Sequence, residues 1–562
     1  MPSKSVRLTA CALTLASLAG VQSAVAEAAP ESTAPASVSS GDAATTSPAP
    51  PRPRPDPKFD IEAFDVDGNT LLNNTAIESA VYPFMGPDRG RDDVAGARDA
   101  LEKAYRAQGY PTVVVEVPQQ DARTGVVKLH VVEIPVGRLR VVGSRYNLPS
   151  RIREQMPSLA EGKVPNFTRA QAELAEANRL PEMQVTPLER KGRAPGTVDV
   201  DLKVKDSLPL HASVALNNDH AQNTSQLHTI AAASYGDLWQ LGHTISGTAI
   251  LAPERLKDSE VFSGSYSAPI WNTPWTILLS GYTSNSDVSA LSGTGVLGKG
   301  FTVSLAGLLQ LPQLDDFTQT ASFGIDFKHS LQSIVLGNSS TDASIDYLPL
   351  NGSYTISRTT QIDTASATAQ LTLGLRGLGS GVAQFLNNRA FASANFAKLN
   401  LDFLYLRNLP WDLQLSAHLT GQLTDQPLLA NEEFSAGGLN SLRGYLQSES
   451  LGDEGFSADV ELISPSVAPF FIDHAGQDIK DLMTGALDDW RFYIFSDSAA
   501  AWVLDRLPDQ RSVFPLMSIG AGSRMSFLSH FTGNVVMGMP MRNGTATKAW
   551  HPSIQFSATT EF

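Results

Sequence analysis

Cysteine is almost missing from this sequence, since Cys11 is the only one among 562 residues. It lies in an N-terminal segment that we predict to be removed, so the mature chain would contain no cysteine. That absence excludes a disulfide framework, thiolate metal sites and a cysteine nucleophile. It also suits a chain that crosses an oxidising compartment before it folds.

Basic residues are in the minority. Lysine and arginine total 42 against 57 acidic residues, for a formal net charge of −15. Residues 1–26 contain Lys4 and Arg7 and no acidic residue, so their removal leaves 40 basic against 57 acidic residues, or −17. This excess of acid argues against nucleic acid as a partner.

Long apolar runs are missing after residue 26. Before it, a short basic stretch precedes apolar residues from Leu8 to Val21, and small residues at 24–26 favour cleavage before Glu27, as in a secretory signal peptide. The alternative is a lipobox at Leu8–Cys11, but cleavage there would leave almost no apolar segment before the cysteine. Without a helix-length apolar run in the mature chain, a membrane location requires a closed β-barrel, which indicates a Gram-negative outer membrane.

Residues 27–57 consist mostly of Ala, Pro, Ser, Thr and Gly. Such a segment cannot bury a core, and its proline-rich end should be extended. We interpret it as a linker.

Two β-α-α-β-β modules are predicted next, at 58–135 and 136–206, from alternating strands and apolar helical stripes. In the first module Asn74 or Thr75 would cap a helix, and a second helix would end at Gly109. Its stripe comprises Val94, Ala97, Leu101, Ala104 and Tyr105.

Residues 207–562 show strand after strand with period two and no helix of normal length. Leu413, Leu415, Ala417, Leu419 and Leu423 fall on one face, with polar residues between them. A soluble β-sandwich would alternate in the same way. The signal peptide, the size and the seven tryptophans, which all lie in this segment, favour an antiparallel transmembrane barrel of about 16 strands.

No enzyme motif is present: the histidines are scattered, and neither a Gly-x-Ser-x-Gly elbow nor a phosphate-binding Gly-Lys-Ser/Thr loop occurs. We therefore expect no catalysis and no cofactor, metal or nucleotide.

The loop around Arg443 stands out, because this arginine lies in a glycine-rich stretch between two well-formed strands. It is either an exposed charge or part of a loop folded into the lumen, where a buried cation needs a carboxylate. Asp497 is a candidate carboxylate, on the same strand face as Tyr493 and Phe495.

These residues resemble motifs of the Omp85 superfamily of outer-membrane transporters and assembly factors. Leu442-Arg443-Gly444-Tyr445 resembles the Val-Arg-Gly-Tyr/Phe motif of loop six, with Leu442 in place of Val. Phe495-Ser496-Asp497 is similar to the Phe-x-Asp strand motif, and Gly452-Asp453-Glu454-Gly455 to the Gly-(Phe/Asp)-x-Gly motif of the preceding strand. The resemblance implies that Arg443 reaches into the lumen and pairs with Asp497. The terminal Phe562 resembles the aromatic signal that such barrels present to their assembly machinery.

The two modules resemble POTRA domains, and with the barrel they resemble the haemolysin/haemagglutinin transporters of two-partner secretion over residues 58–562. The similar stretches are Tyr105–Tyr110, Val141–Gly143, Leu159–Val164 and Asn178–Pro181. The resemblance implies that periplasmic POTRA domains capture an unfolded, large, β-rich exoprotein, which then crosses the barrel. The expected partners are this exoprotein, outer-membrane lipid and the barrel assembly machinery. Residues 27–57 are too rich in Pro, Ser and Thr for the plug helix that some members carry.

Two other functions remain open at this point. One is an Omp85-type assembly factor that inserts other barrels, although such factors differ in the number of POTRA domains. The other is a passive porin-like channel, which would need neither POTRA domains nor the arginine motif.

Overall fold

The computed structural model describes residues 58–121, 124–180, 182–271, 273–286, 299–336, 339–474, 480, 483, 485–508 and 510–562, without the side chains of 332–342. The predicted signal peptide, Cys11 and the linker lie outside the described residues. The described chain forms two compact units, 58–208 and 209–562. Among its helices, none is both long and apolar enough to cross a membrane.

The first module of the N-terminal unit is a three-stranded sheet covered by two helices. Its elements are β1 Phe59–Ile61, β2 Ala63–Asp67, α1 Asn74–Val81, β3 Gly86–Arg89, α2 Arg91–Ala107, β4 Val114–Glu116 and β5 Val126–Val132. In the sheet, β5 lies centrally, parallel to β2 and antiparallel to β4. The small β1–β3 sheet is an addition to the predicted β-α-α-β-β pattern.

The helical stripe of this module forms its core. Val94, Ala97, Leu101 and Tyr105 of α2 are buried, because residues three or four apart share a helix face. Gly109, with φ +90°, follows the helix in the left-handed conformation that glycine accepts readily. The predicted cap of α1 was wrong by one residue: the side chain of Asn73 accepts the Ala76 N–H at 2.9 Å.

The second module repeats the arrangement. Its elements are β6 Val136–Val142, α3 Pro149–Glu154, α4 Phe167–Ala177, β7 Met183–Lys191 and β8 Val198–Asp206, with β8 parallel to β6 and antiparallel to β7. The carboxylate of Asp206 accepts the backbone N–H groups of Arg145, Tyr146 and Asn147 at 2.9, 2.8 and 3.0 Å. Burial raises the pKa of Asp206, but these N–H groups outweigh it and hold that pKa below its ordinary value.

The C-terminal unit is almost entirely β-structure, with two seven-residue helices, α5 Val382–Asn388 and α6 Ala468–His474. Its strands are β9 Leu210–Asn217, β10 His228–Leu238, β11 His243–Leu251, β12 Glu260–Pro269, β13 Trp275–Ser284, β14 Lys299–Leu314, β15 Phe317–Leu336, β16 Ser339–Tyr347, β17 Leu350–Thr359, β18 Asp363–Leu373, β19 Ala397–Asn408, β20 Gln414–Thr424, β21 Phe434–Ala436, β22 Ser450–Gly452, β23 Glu454–Ile463, β24 Leu487–Trp502, β25 Val513–Phe527, β26 Phe531–Pro540 and β27 Ser553–Glu561. Short 3₁₀ turns occupy Tyr82–Phe84, Pro157–Leu159, Leu256–Asp258, Pro410–Asp412 and Ala430–Glu432.

The strands close into one antiparallel barrel in chain order, with β27 pairing back to β9. Both β16 and β17 pair with β15, on successive parts of its length, and therefore form one interrupted strand. Counted in this way, 16 strands of the described chain form the wall, which confirms the predicted fold class. The short β21–β22 pair is separate from the wall.

The outer face of the wall is apolar. Leu419, Leu423, Phe456, Val460 and Leu462 lie on it with 38–54% of their surface exposed, as the alternation predicts. Residues directly opposite in neighbouring strands share a face, so the strand registers extend this assignment to the neighbouring strands.

The tryptophans concentrate at one end of the barrel. We call the end at which β9 begins the near end and the opposite end the far end. Near-end turns and strand ends carry Trp239, Trp271, Trp275, Trp411 and Trp490, whereas Trp502 and Trp550 lie at the far end. Such positions match interfacial aromatic belts.

Candidate functional site

The loop that carries Arg443 is the sixth far-end connection of the barrel. It runs from 425 to 453 between β20 and β23, and its middle folds into the β21–β22 hairpin. Leu442, Arg443 and Tyr445 at the hairpin tip are 0–5% exposed. We call residues 425–453 loop six, and we call 437–449 its tip.

Loop six enters the barrel because its arginine binds the inner face of the wall. The Arg443 guanidinium donates from Nε to Asp497 Oδ2 at 2.8 Å and from Nη2 to Oδ1 at 2.5 Å. The Arg443 backbone N–H donates to the same carboxylate at 2.9 Å. Asp497 is fully buried and lies five residues from the far end of β24, roughly 17 Å along the strand at the usual rise. The bidentate fork fixes both the position and the orientation of the loop.

A second carboxylate, which the sequence analysis did not single out, completes this site. Arg443 Nη1 donates to Glu461 Oε1 on β23, and Arg524 of β25 donates to the same oxygen at 2.9 Å. Two arginines thus bond to two carboxylates at this site. Alternation placed Glu461 on the polar face of its strand, and that position was the available signal.

Aromatic rings form the floor beneath the arginine. The Arg443 guanidinium lies 3.8 Å from the centroid of the Phe495 ring, in a cation–π contact. Strand β25 makes room for this ring with glycine: a Cβ on Gly520 would lie 2.5 Å from Phe495 Cζ. The Phe-x-Asp motif therefore supplies a ring under the arginine and a carboxylate beside it.

Glycine also permits the loop to touch the wall backbone to backbone. Gly444 has φ +87°, and a Cβ on Gly538 of β26 would lie 2.6 Å from the Gly444 Cα. Next to it, the Tyr445 hydroxyl lies 2.9 Å from the Met517 carbonyl oxygen and 2.8 Å from that of Arg542. On β27, Gln555 Oε1 accepts the Gly444 N–H at 2.9 Å. The Leu442–Tyr445 motif thus contacts five consecutive wall strands, β23 to β27.

The Gly452–Gly455 motif spans the return of the loop into β23. Asp453 is fully buried; Oδ1 accepts the Leu428 N–H at 2.7 Å, and Oδ2 accepts Arg389 Nη2 at 2.7 Å and the Leu504 N–H at 2.8 Å. Arg389 also contacts Glu433. A Cβ on Gly452 would lie 2.5 Å from the Trp502 carbonyl oxygen, and one on Gly455 would meet the Phe434 ring. Asp453 therefore joins the two limbs of loop six where they leave the wall.

The terminal residue lies at the seam where the barrel closes. Phe562 donates its N–H to the Ala212 carbonyl at 2.8 Å and accepts the Ala212 N–H at 3.1 Å. Its side chain is 71% exposed. The structure places this residue far from loop six, at the near end.

The arrangement is suited to holding a loop, because its charged groups bond to one another. Within the described residues, no group of three or more His, Cys, Asp or Glu side chains is placed to hold a metal ion.

Two family models match the chain. The model described as POTRA domain, ShlB-type matches residues 59–133. The model described as haemolysin secretion/activation protein ShlB/FhaC/HecB matches residues 196–477, half of the chain. The chain belongs to this haemolysin secretion/activation family. It is an outer-membrane transporter, and its family is not an enzyme family.

Individual relatives agree with this assignment. The outer membrane transporter CdiB of Dickeya dadantii is 22% identical over 414 residues, which cover 71% of each protein. The structure of CdiB from Escherichia coli matches with a TM-score of 0.60 at 18% identity, covering 90% of this chain and 91% of that one. BamA from Haemophilus ducreyi, solved without POTRA domains 1–3, matches with a TM-score of 0.52 at 14% identity, covering 90% and 100%. At these identities the likeness to solved structures shows the fold alone.

Proposed function

We propose that this transporter exports one unfolded exoprotein by two-partner secretion, with the POTRA modules in the periplasm and the barrel lumen as the path. The observation that carries the proposal is a loop held inside the lumen by the ion pairs of Arg443 with Asp497 and Glu461. A loop held by reversible ion pairs can occupy a wide pore and still be displaced. The family, described by haemolysin secretion, supports the same conclusion.

Capture in the periplasm requires a sheet edge to which an extended chain can pair. The β7 edge of the second module is poorly suited. Asn178 accepts the Val185 N–H at 2.6 Å and donates to the Val185 carbonyl at 3.1 Å, so its side chain occupies this edge. Since N–H directions alternate along a strand, Pro187 would present the next N–H to the same edge and has none.

The last part of the β6 edge is the better candidate, since at its start Val136 already pairs with Gly162 and Lys163. Leu139 donates its N–H to Glu161 at 3.1 Å, away from β8, and Val141 points its N–H in the same direction. In the described part of the chain, no backbone partner of Val141 lies on this side. We assign capture of the extended exoprotein to β6 around Val141.

Passage through the barrel needs no cofactor or nucleotide in this proposal. Folding of the large, β-rich exoprotein outside the cell would drive its exit. The apolar outer face would contact outer-membrane lipid, and Phe562 would serve as the signal to the barrel assembly machinery.

Deletion of the gene, followed by mass spectrometry of the medium, tests the proposal. We expect one large secreted protein to disappear and to return on complementation. An unchanged set of secreted proteins would contradict export. Val141→Pro should reduce secretion through loss of one N–H, whereas Val141→Ala, which retains it, should secrete nearly normally.

The second candidate is an assembly factor for other barrels; BamA from Haemophilus ducreyi shares the fold. It predicts that the deletion depletes many outer-membrane barrels rather than one secreted protein. Quantitative proteomics of outer membranes from the same strain separates the two. A passive porin-like channel predicts neither loss.

A further inference from the structure

A second buried ion cluster lies at the limb of loop six that precedes its tip. Glu432, which is 1% exposed, precedes β21 and accepts Lys328 Nζ at 2.5 Å and Lys398 Nζ at 2.6 Å. Both lysine side chains are nearly buried, at 16% and 12% exposure. Two cations therefore converge on one loop carboxylate inside the wall.

Neutral hydrogen bonds complete the surroundings of this carboxylate. The Tyr347 hydroxyl donates to Glu432 Oε1 at 2.7 Å. Gln422 of β20 donates to the Glu432 backbone carbonyl at 2.9 Å. Removal of the carboxylate would leave two buried lysines without their hydrogen-bonded counter-charge, with only Asp326 of β15 nearby among the described residues, which is costly in a low-dielectric site.

The two clusters bind loop six to different parts of the wall. Lys328 lies on β15 and Lys398 on β19, whereas Asp497 and Glu461 lie on β24 and β23. Loop six originates between β20 and β23, so it is held on both sides of its origin. The clusters share no residue, and each can break while the other remains.

We propose that Glu432 is a second positioning residue of loop six, which keeps the base of its hairpin in the lumen when the contact between Arg443 and Asp497 is broken. The tip can then move while the base stays attached to β15 and β19. This positioning role deepens the proposed export function. It rests on that function only for the reason why the tip would move.

Cysteine accessibility tests this inference directly, because Cys11 is the only native cysteine. In a Cys11→Ser background of the full chain, Ser435→Cys reports on the base and Ser441→Cys on the tip; both serines are buried, at 0% and 6% exposure. The rate of modification by a membrane-impermeant maleimide is measured on folded protein in outer-membrane vesicles. Heat-modifiable migration on gels verifies that each variant is folded.

We expect Glu432→Gln to raise the rate at 435 by at least about ten-fold, because it leaves buried charges unpaired. Arg443→Ala should raise the rate at 441 and leave that at 435 within about two-fold of the parent, because the Glu432 cluster remains intact. The matched control is Glu433→Gln, since Arg389 keeps its bond to Asp453 without Glu433. This control should leave position 435 protected.

A charge exchange separates pairing from a general disturbance. Glu432→Lys with Lys398→Glu retains the triad with one negative and two positive members and should restore protection at 435. If Glu432→Gln does not fold, Lys398→Met keeps the pair with Lys328 and should still give a measurable increase at 435.

Three results would each overturn the proposal. They are an unchanged rate at 435 in the Glu432 and Lys398 variants, exposure of 435 by Arg443→Ala alone, and failure of the charge exchange to restore protection. Secretion is scored separately. Loss of protection at 435 with normal secretion would show that the Glu432 contact is not needed for export, and the positioning role of Glu432 would stand; export itself is contradicted only if the gene deletion leaves the secreted proteins unchanged.

Discussion

The inner wall of the barrel has two chemically different parts. In the described residues of β11 to β14, the inner face carries no Asp, Glu, Lys or Arg and is rich in hydroxyl side chains, such as those of Ser246 and Ser265, whose Oγ atoms lie 2.8 Å apart. From β19 to β25 the inner face carries Lys398, Asp402, His418, Asp459, Glu461, Arg491, Asp497 and Arg524. Charge inside the barrel therefore follows loop six.

The difference indicates what the interior charges do. In the charged part, ionised groups bond to the loop or to one another, as Arg443 does with Asp497 and Glu461. In the hydroxyl part, the neutral side chains of Ser246 and Ser265 hydrogen-bond to each other across neighbouring strands. A buried charge is costly unless it is paired, so its concentration beside the loop favours loop retention as its role.

The largest expected effect comes from Arg443→Ala, which removes the ion pairs between loop six and the charged part of the wall. Removal of one partner from a buried ion pair costs about 3–5 kcal/mol, so we expect the tip to leave the wall and secretion to fall at least about ten-fold. Arg443→Lys keeps the charge but loses the bidentate hydrogen bonds, so its secretion should lie between that of the parent and that of Arg443→Ala. Export is measured by immunoblotting of the secreted protein. Normal export by Arg443→Ala would separate the loop contact from function.

Gly538→Ala should have the next largest effect. Its Cβ would lie 2.6 Å from the Gly444 Cα, where the backbones cannot both stay in place. We expect partial loss of secretion and a faster-modified cysteine at position 441. Gly533→Ala on the same strand is the control, because its Cβ would meet nothing within 4 Å. Equal behaviour of the two variants would argue against close backbone packing at this point.

Ser265→Ala tests the hydroxyl part and should have little effect. It removes one half-buried hydroxyl contact, to Ser246, and such changes usually alter stability by less than about 1 kcal/mol. Secretion and heat stability of the barrel should match the parent. A loss as large as that of Arg443→Ala would remove the functional distinction between the two parts of the wall.

Asp206→Asn lies outside the barrel and should change the stability of the N-terminal unit. Because the folded-state pKa of Asp206 is lowered, its charge stabilises the second module above the unfolded value of about 3.9, and that stability is lost as pH falls through the lower folded value. Asp206→Asn should therefore lower the urea midpoint of the N-terminal unit at pH 7. The difference in urea midpoint between the variant and the parent should narrow below about pH 4. A difference that is constant with pH would contradict this account.

Sequence periodicity predicted the barrel well because the alternation of apolar and polar residues within each strand identifies its two faces without long-range information. Leu419 and Phe456 are outward, as alternation requires, and the family motif indicated both Arg443 and Asp497. The partners of Glu432 could not be predicted, since Lys328 lies 104 residues away and only the barrel register brings it close. The role of Gly538 could not be predicted either, because its need for a missing side chain depends on the close contact with Gly444, which only the folded loop provides. The interruption between β16 and β17 also depends on the pairing of both with β15.

The pairing of β27 with β9 has a consequence for the order of folding. These strands join residues as far apart as Ser213 and Glu561, separated by 348 positions, through five register pairs, against fifteen between β24 and β25. Bringing such distant segments together costs about 5 kcal/mol of chain entropy on a logarithmic loop estimate. Neighbouring hairpins can form early and locally, whereas the cylinder becomes complete only when β27 pairs with β9. A folding barrel thus remains an open sheet with two unpaired edges until that pairing forms.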